Sequence, residues 1–307
     1  MNLAPIAIFV YNRPEHTKNL LTSLKNCDLF NQTKIFIFSD DYKKKDEDDK
    51  NKVSQVRIIL KKFFQSNNRV KIYYNKNNAG LYQNIINGID IVFKKNNKII
   101  VLEDDLILHK NFLSFMNNAL EFYKNKKSIY QISGYSYPIN HKNINTTYFL
   151  PLVSCWGWAT WKTTWLKKNF LYKNNLLKKY YFLKKNKLIL RKFNFNNTYN
   201  YFKILEKHIY KKNKTWGVLF YLNNFFNERL CVYPPYSLVN NRGFDGSGQN
   251  SLLKNNIFSN RFNKIHDINM SLDVSQNFLI NKKIEFFFKR KLSFANKVKS
   301  YINFFFN

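Results

Sequence analysis

Cysteine is rare in this chain. Cys27, Cys155 and Cys231 stand far apart, odd in number, with no C-x-x-C pair and no nearby histidine spacing. That excludes a disulfide frame and a zinc site and points to a reducing compartment. Long apolar runs are missing too, none approaching the roughly 18 residues a membrane-spanning helix needs. Residues 1–5 show no basic segment leading into an apolar core, so no secretory signal is read there. Neither G-x-G-x-x-G nor a Walker-type loop occurs, which removes the dinucleotide fingerprint and the P-loop as ways of holding phosphate. Acids are the last scarcity: 19 Asp and Glu face 51 Lys and Arg, a formal charge of +32. Such a surface attracts polyanions, whether nucleic acid, an anionic membrane or a phosphorylated substrate. The abundance of Lys, Asn, Ile, Phe and Tyr is also what AT-rich coding yields, so part of that charge carries no function.

Against this poverty of acids, three stand side by side. Residues 98–102 form a short apolar run of the kind expected for a buried strand, and it ends in Glu103-Asp104-Asp105. Adjacent carboxylates repel one another, so something positive belongs beside them. A hard divalent cation, Mn²⁺ or Mg²⁺, takes carboxylate oxygens and completes its shell from nucleotide phosphates. Taken alone, the tripeptide equally fits a solvated acidic turn.

The surrounding pattern favours the cation. Ile6–Val10, residues 34–38, Val70–Tyr74, residues 98–102 and Ile129–Ser133 read as strands. Between them, Leu20, Leu21 and Leu24, then Val53, Val56, Leu60 and Phe63, then Leu81, Ile85, Ile89 and Phe93, and after the acids Phe112, Phe115, Met116, Ala119 and Phe122 recur at helical spacing. Asn12 reads as the cap of the first helix, with Pro14 in its first turn and Glu15 closing a capping box. With 45% hydrophobic residues to fill a core, the alternation predicts an α/β fold, a parallel sheet covered on both faces. Ligands gather at the carboxyl ends of such strands. Asn12-Arg13, Asp40-Asp41, Asn78-Ala79-Gly80 and Glu103-Asp104-Asp105 all follow strands, so one rim would collect them.

The second half changes character. Trp156, Trp158 and Trp161 fall within six residues, followed by Trp165; such indoles are either core or flat faces for sugars and bases. Residues 166–214 read as helices with a basic surface. Trp216 opens an aromatic helix, and Leu230–Tyr233 reads as a strand. Three of the eight glycines lie in Arg242-Gly243-Phe244-Asp245-Gly246-Ser247-Gly248, a surface turn or a loop able to approach phosphate or sugar closely. Residues 282–306 combine clustered cations with Phe, Leu, Val, Tyr and Ile, as in an amphipathic helix on an anionic bilayer. A helix packed on the domain with its cations in water is the competing reading, which the number of exposed phenylalanines disfavours.

In order along residues 3–250, Ile6 to Arg13, Ser39-Asp40-Asp41, Asn78-Ala79-Gly80-Leu81, Glu103-Asp104-Asp105-Leu106, Trp156-Gly157-Trp158 and the 242–248 loop resemble bacterial glycosyltransferases of GT-A fold. They are similar to the N-acetylglucosaminyltransferase I group and to family 2-like sugar transferases. The resemblance implies a Rossmann-like, mostly parallel sheet with helices on both faces. Residues 1–265 would be the transferase domain, 1–108 binding the nucleotide sugar and 109–265 the acceptor, with 266–307 a basic aromatic tail. It implies a nucleotide-sugar donor, commonly a UDP-sugar, and a Mn²⁺ or Mg²⁺ ion held by Asp105. Glu103 and Asp104 would contact ribose or donor sugar. Arg13, Asp40 and Asp41 match positions that hold the nucleoside, together with the Asn78 and Gly80 loop, while Trp156, Gly157 and Trp158 would shape the sugar pocket. The chain departs from the pattern at Trp216-Gly217-Val218, where inverting relatives carry an acidic base. Asp245 and Glu228 are the nearby acids left, and Asp245 is the candidate.

Three functions compete. A metal-dependent, inverting transferase would move a sugar onto a glycan or lipid-linked acceptor in surface polysaccharide or lipopolysaccharide synthesis, in the cytoplasm and peripheral at the inner face of the cytoplasmic membrane. A nucleic-acid-binding protein would explain the charge, but no RRM, KH, zinc-finger or helix-turn-helix signature accompanies it. A nucleotidyltransferase on a similar sheet would use the same acids and release pyrophosphate.

Overall fold

The computed structural model describes residues 2–65, 67–140, 144–166, 173–210, 214–246, 257–259, 262 and 268–305, without the side chains of 173 and 292–305. The first half alternates as expected: β1 (Ile6–Val10), α1 (Pro14–Lys25), β2 (Ile35–Ser39), α2 (Glu47–Phe63), β3 (Val70–Tyr74), α3 (Gly80–Phe93), β4 (Lys98–Glu103), β5 (Leu106–Leu108), α4 (Phe112–Phe122) and β6 (Ile129–Ser133). Then come β7 (Tyr148–Leu150), β8 (Trp158–Trp161), the helices α5 (Lys162–Trp165), α6 (Lys173–Lys185), α7 (Lys187–Phe193), α8 (Tyr201–Ile209) and α9 (Trp216–Phe226), the strands β9 (Leu230–Tyr233) and β10 (Val239–Asn241), and α10 (Phe278–Phe305).

Eight strands form one sheet in the order β3-β2-β1-β4-β8-β6-β9-β7. The β1–β2, β1–β4, β2–β3 and β6–β9 pairs are parallel, while β8 lies antiparallel between β4 and β6 and β7 runs against β9. The sheet is therefore mostly parallel with two reversed strands. A separate ribbon pairs β5 with β10, setting Leu106 opposite Asn241.

Strand alternation divides the core between the two faces. Ala7 and Phe9 of β1 join Phe38, Ile85, Ile89, Val101 and the residues of α9 on one face. Ile6, Ile8 and Val10 join Leu20, Leu24, Val56, Leu60 and Met116 on the other. Helix α2 starts where the chemistry favours it. Asp46 caps it by accepting from the Asp49 amide at 2.9 Å, acids fill its first turn and Lys61 and Lys62 its last, each sign matching the helix dipole. Helix α1 departs from expectation: its cap position is Arg13, without a side-chain cap, because the Asn12 amide is turned to Asp49 instead.

The segment beyond 265 returns to the domain. Isolated bridges join Thr146 to Asn269 and Phe149 to Gln276, and Ile280, Ile284, Phe287 and Phe288 of α10 lie in the core with Tyr137, Phe195 and Phe258 packed around them. The start of the tail is thus a docked helix, and Phe287 and Phe288 are spent on the core rather than offered to a bilayer.

Helix α3 comes close to β1 and β2 at Gly88, where an added methyl would lie 2.5 Å from the Phe9 ring and 2.9 Å from Phe38. Alanine favours a helix by about 1 kcal/mol over glycine, but overpacking a filled core costs about 1–3 kcal/mol. Gly88→Ala should therefore lower stability in urea unfolding; a variant more stable than the parent would show that this contact yields freely.

Candidate functional site

The parallel strands do bring the polar segments to one edge. Arg13, just after β1, lies between the acids after β4: Nη2 donates to Asp104 Oδ1 and Nη1 to Asp105 Oδ2 at 3.2 Å. The Tyr11 amide also faces Asp104 Oδ2, at 3.4 Å. Asp104 is buried, while Asp105 keeps 15% of its side chain exposed. One guanidinium thus meets two carboxylates, with the Glu103 carboxyl near enough to be felt. Burial, then the charges of Asp105 and Asp104, push the Glu103 carboxyl up to about 8. Burial also raises Asp104, outweighing the pull of Arg13.

A roof lies over Asp105. The β5–β10 ribbon returns the chain so that the Arg242 amide donates to the Asp105 carbonyl at 2.7 Å. A Cβ on Gly243 would stand 2.3 Å from Asp105 Oδ2, so any side chain there would have to displace that carboxylate. Farther along, Asp245 Oδ2 is 3.2 Å from His16 Nε2, and the same nitrogen is 3.4 Å from the Arg242 carbonyl. Helix α1 thereby fastens the loop that carries the candidate base. Ser247 and Gly248, the rest of the expected loop, lie outside the described residues. Glu228 is removed from consideration as a base. It precedes β9, which runs parallel to β6 and hence in the direction of β4, so it sits at the opposite edge of the sheet.

The β2 exit is organised by a carboxylate with a different task. Asp40, buried, accepts from the Ala79 and Gly80 amides at 2.9 Å each and from Asn75 Nδ2 at 2.8 Å, fixing the start of α3 where Gly80 has φ +74°. Both its oxygens are occupied, which makes Asp40 a holder of the loop. Asp41 is half-buried, pairs with Arg57 at 3.0 Å, and receives Asn78 Nδ2 on its carbonyl. Of the indole segment only Trp156 borders the roof, its ring 5.7 Å from Phe244. Gly157 (φ +59°) is packed against Val239 and Phe112, and Trp158 is fully buried, stacked on Trp216 at 5.2 Å. Neither presents a face to a sugar, because β8 is inserted into the sheet and seals them there.

Sequence reading passed over His16, Arg57 and Asp49. Asp49 accepts from the Tyr11 hydroxyl, Asn12 Nδ2 and the Lys43 amide, joining the β1 exit to the β2–α2 loop. Burial opposes ionisation of Asp49, yet these donors hold its carboxyl below the ordinary value. The available signal was its place in an acidic first turn, which reads equally as dipole compensation.

The donor set suits a hard cation: oxygen ligands on a partly open rim, with more negative charge than Arg13 meets. Among the described residues no three His, Cys, Asp or Glu side chains converge as a cage. Asp105 would therefore hold Mn²⁺ or Mg²⁺ with most of the shell left to phosphate and water, as Mg²⁺ sites commonly are. Arg13→Ala should lower stability by about 1–3 kcal/mol, since it strands partly buried carboxylates, and Mn²⁺ should restore part of the loss in thermal melts. Melting unchanged by the substitution would mean that Arg13 does not balance these acids.

The sequence matches the family model described as Glycosyl transferase family 2 over residues 6–202. No curated protein matches. Among solved structures, the crystal structure of GalNAc-T7 with UDP, GalNAc and Mn²⁺ aligns at 13% identity and TM-score 0.38, covering 55% of this chain and 37% of that one. The mannosyltransferase PcManGT from Pyrobaculum calidifontis, in complex with GDP-Man and Mn²⁺, aligns at 9% identity and TM-score 0.34, covering 52% and 46%. The chain thus spans less than half the length of either. The family match runs from β1 through the rim acids and into α8, more than half of the 307 residues, and the chain belongs to glycosyl transferase family 2.

Proposed function

We propose that the chain transfers a sugar from a nucleotide-sugar donor, a UDP-sugar by the resemblance, to a glycan or lipid-linked acceptor in surface polysaccharide or lipopolysaccharide synthesis, with Mn²⁺ or Mg²⁺ as cofactor. The observation that carries this reading is the contact of Arg13 with Asp104 and Asp105 beneath the 242–246 loop. Asp41 and Asn78 border the nucleoside pocket that Asp40 and Gly80 hold in shape. Glu103 and Asp104 face ribose or sugar, Trp156 closes the sugar side, and Asp105 holds the cation. When bound, that ion would offset the charge developing on the departing diphosphate.

In the inverting reaction, an acceptor hydroxyl forms its bond to the anomeric carbon as the bond to the diphosphate oxygen breaks. The hydroxyl proton passes to Asp245, which His16 orients. Arg13, paired with Asp104 and Asp105, would stand beside the diphosphate as a second positive group.

The reading is tested by screening nucleotide sugars with and without Mn²⁺. A matched donor at about 100 times its Kd should stabilise the fold by about 2.7 kcal/mol, and turnover should release a nucleoside diphosphate. Asp105→Ala should reduce turnover about a hundredfold or more. Release of pyrophosphate instead would favour nucleotidyl transfer. Full turnover by the variant with Mn²⁺ present would remove Asp105 from the metal site.

A further inference from the structure

Among the described residues, six of the thirteen exposed large apolar side chains lie on α6, α7 and α10. On α6 and α7, Tyr181, Phe182 and Leu188 are 52%, 46% and 76% exposed. Lys178, Lys185, Lys187 and Arg191 are exposed on the same two helices, and no Asp or Glu occurs from 173 to 205. Helix α10 repeats the composition. Phe278, Leu279 and Phe286 are 74%, 78% and 63% exposed, with Lys289, Arg290 and Lys291 exposed beyond them. Its one acid, Glu285, is buried and turned inward, accepting from Asn196 Nδ2 at 2.6 Å. That bond and the rings of Phe195 and Tyr199, 6.1 and 5.1 Å from Phe288, seat α10 on the α7–α8 turn. Helix α10 is thereby anchored at the turn in which α7 ends.

We infer that these faces of α6, α7 and the first half of α10 form one surface that docks on an anionic lipid bilayer. Aromatic and aliphatic tips enter the headgroup boundary, while lysine stems lie along it with their charges at lipid phosphates. Charge alone would suit RNA equally, but RNA would leave Leu188 and Leu279 in water, whereas a bilayer covers them. Attachment by such a surface also suits a chain in which no described helix is long and apolar enough to cross a membrane. Docking would bring the rim to a lipid-linked acceptor and in that purpose rests on the transferase reading; the binding itself is measured without turnover.

The test uses the full chain, since truncating α10 would strip Ile284, Phe287 and Phe288 from the core. Vesicles of phosphatidylcholine alone, and with about a third phosphatidylglycerol, are sedimented with the protein in about 0.1 M and 0.5 M salt. Sedimentation with the anionic vesicles only, weakened by salt, is expected. Lys185→Glu with Lys187→Glu should weaken it about tenfold or more, and Phe182→Ser with Leu188→Ser several-fold, both at unchanged melting temperature and donor hydrolysis. Equal binding to both vesicles, binding to neither, indifference to both double variants, or retention on RNA alone would overturn the assignment. A chain that fails here yet still releases nucleoside diphosphate loses its docking surface and keeps its transferase reading.

Discussion

The rim depends on a guanidinium caught between two carboxylates. Arg13 leaves β1 and meets the acids leaving β4, and these strands are hydrogen-bonded neighbours, with Ile8 beside Leu102 and Phe9 beside Glu103. Strand pairing therefore sets the geometry before any side chain is considered. Packing supports it from both faces, because β1 divides its side chains between two clusters and can slip toward neither without exposing one of them. The charges placed there do not balance, and that imbalance separates the rim from an ordinary structural ion pair. A third carboxylate, Glu103, is held at an elevated pKa beside them, as expected of a place built to receive additional positive charge.

Carboxylates elsewhere on the same edge serve the backbone. Asp40 collects amides at the start of α3, and Asp49 ties Tyr11 and Asn12 to the loop ahead of α2. Each satisfies donors that would otherwise be left unmet at a loop or a helix end. The rim loops are consequently held by charge-assisted bonds. In a chain so poor in acids, this division of labour is notable: the carboxylates gather where a phosphate-bearing ligand would arrive.

The first half of the fold was legible because each strand is a short apolar run and each helix shows its period. The acids after β4 and the polar residues after β1, β2 and β3 could be placed on one edge from topology alone. The second half resisted for physical reasons. Strands β7 and β10 have three residues each and β8 has four, too few to show alternation. Trp158 suggested a sugar platform because an indole serves core and pocket equally well; only the insertion of β8 between β4 and β6 decides that it is core. Asp40 and Asp41 differ by one position in sequence and by opposite demands in space. His16 had no local signal, since its partner Asp245 lies 229 residues away. The tail mixed two roles along one helix, burying Phe287 and Phe288 while leaving Phe286 in water, a division that composition averages away.

The net charge takes on meaning from this distribution. A formal charge of +32 draws anions toward the protein at long range, yet the rim after β4 presents adjacent carboxylates. On the proposed reading, a bare diphosphate arriving there would meet Asp104 and Asp105, with Arg13 between them to attract it. The same diphosphate carrying a divalent ion would bring the charge those carboxylates lack. On that reading the arrangement would select against metal-free donor by repulsion and for metal-bound donor by attraction, which is how specificity is commonly built from paired opposing terms. It also accounts for the place of Gly243: a Cβ there would stand 2.3 Å from Asp105 Oδ2 and press on the carboxylate to which this reading assigns the cation.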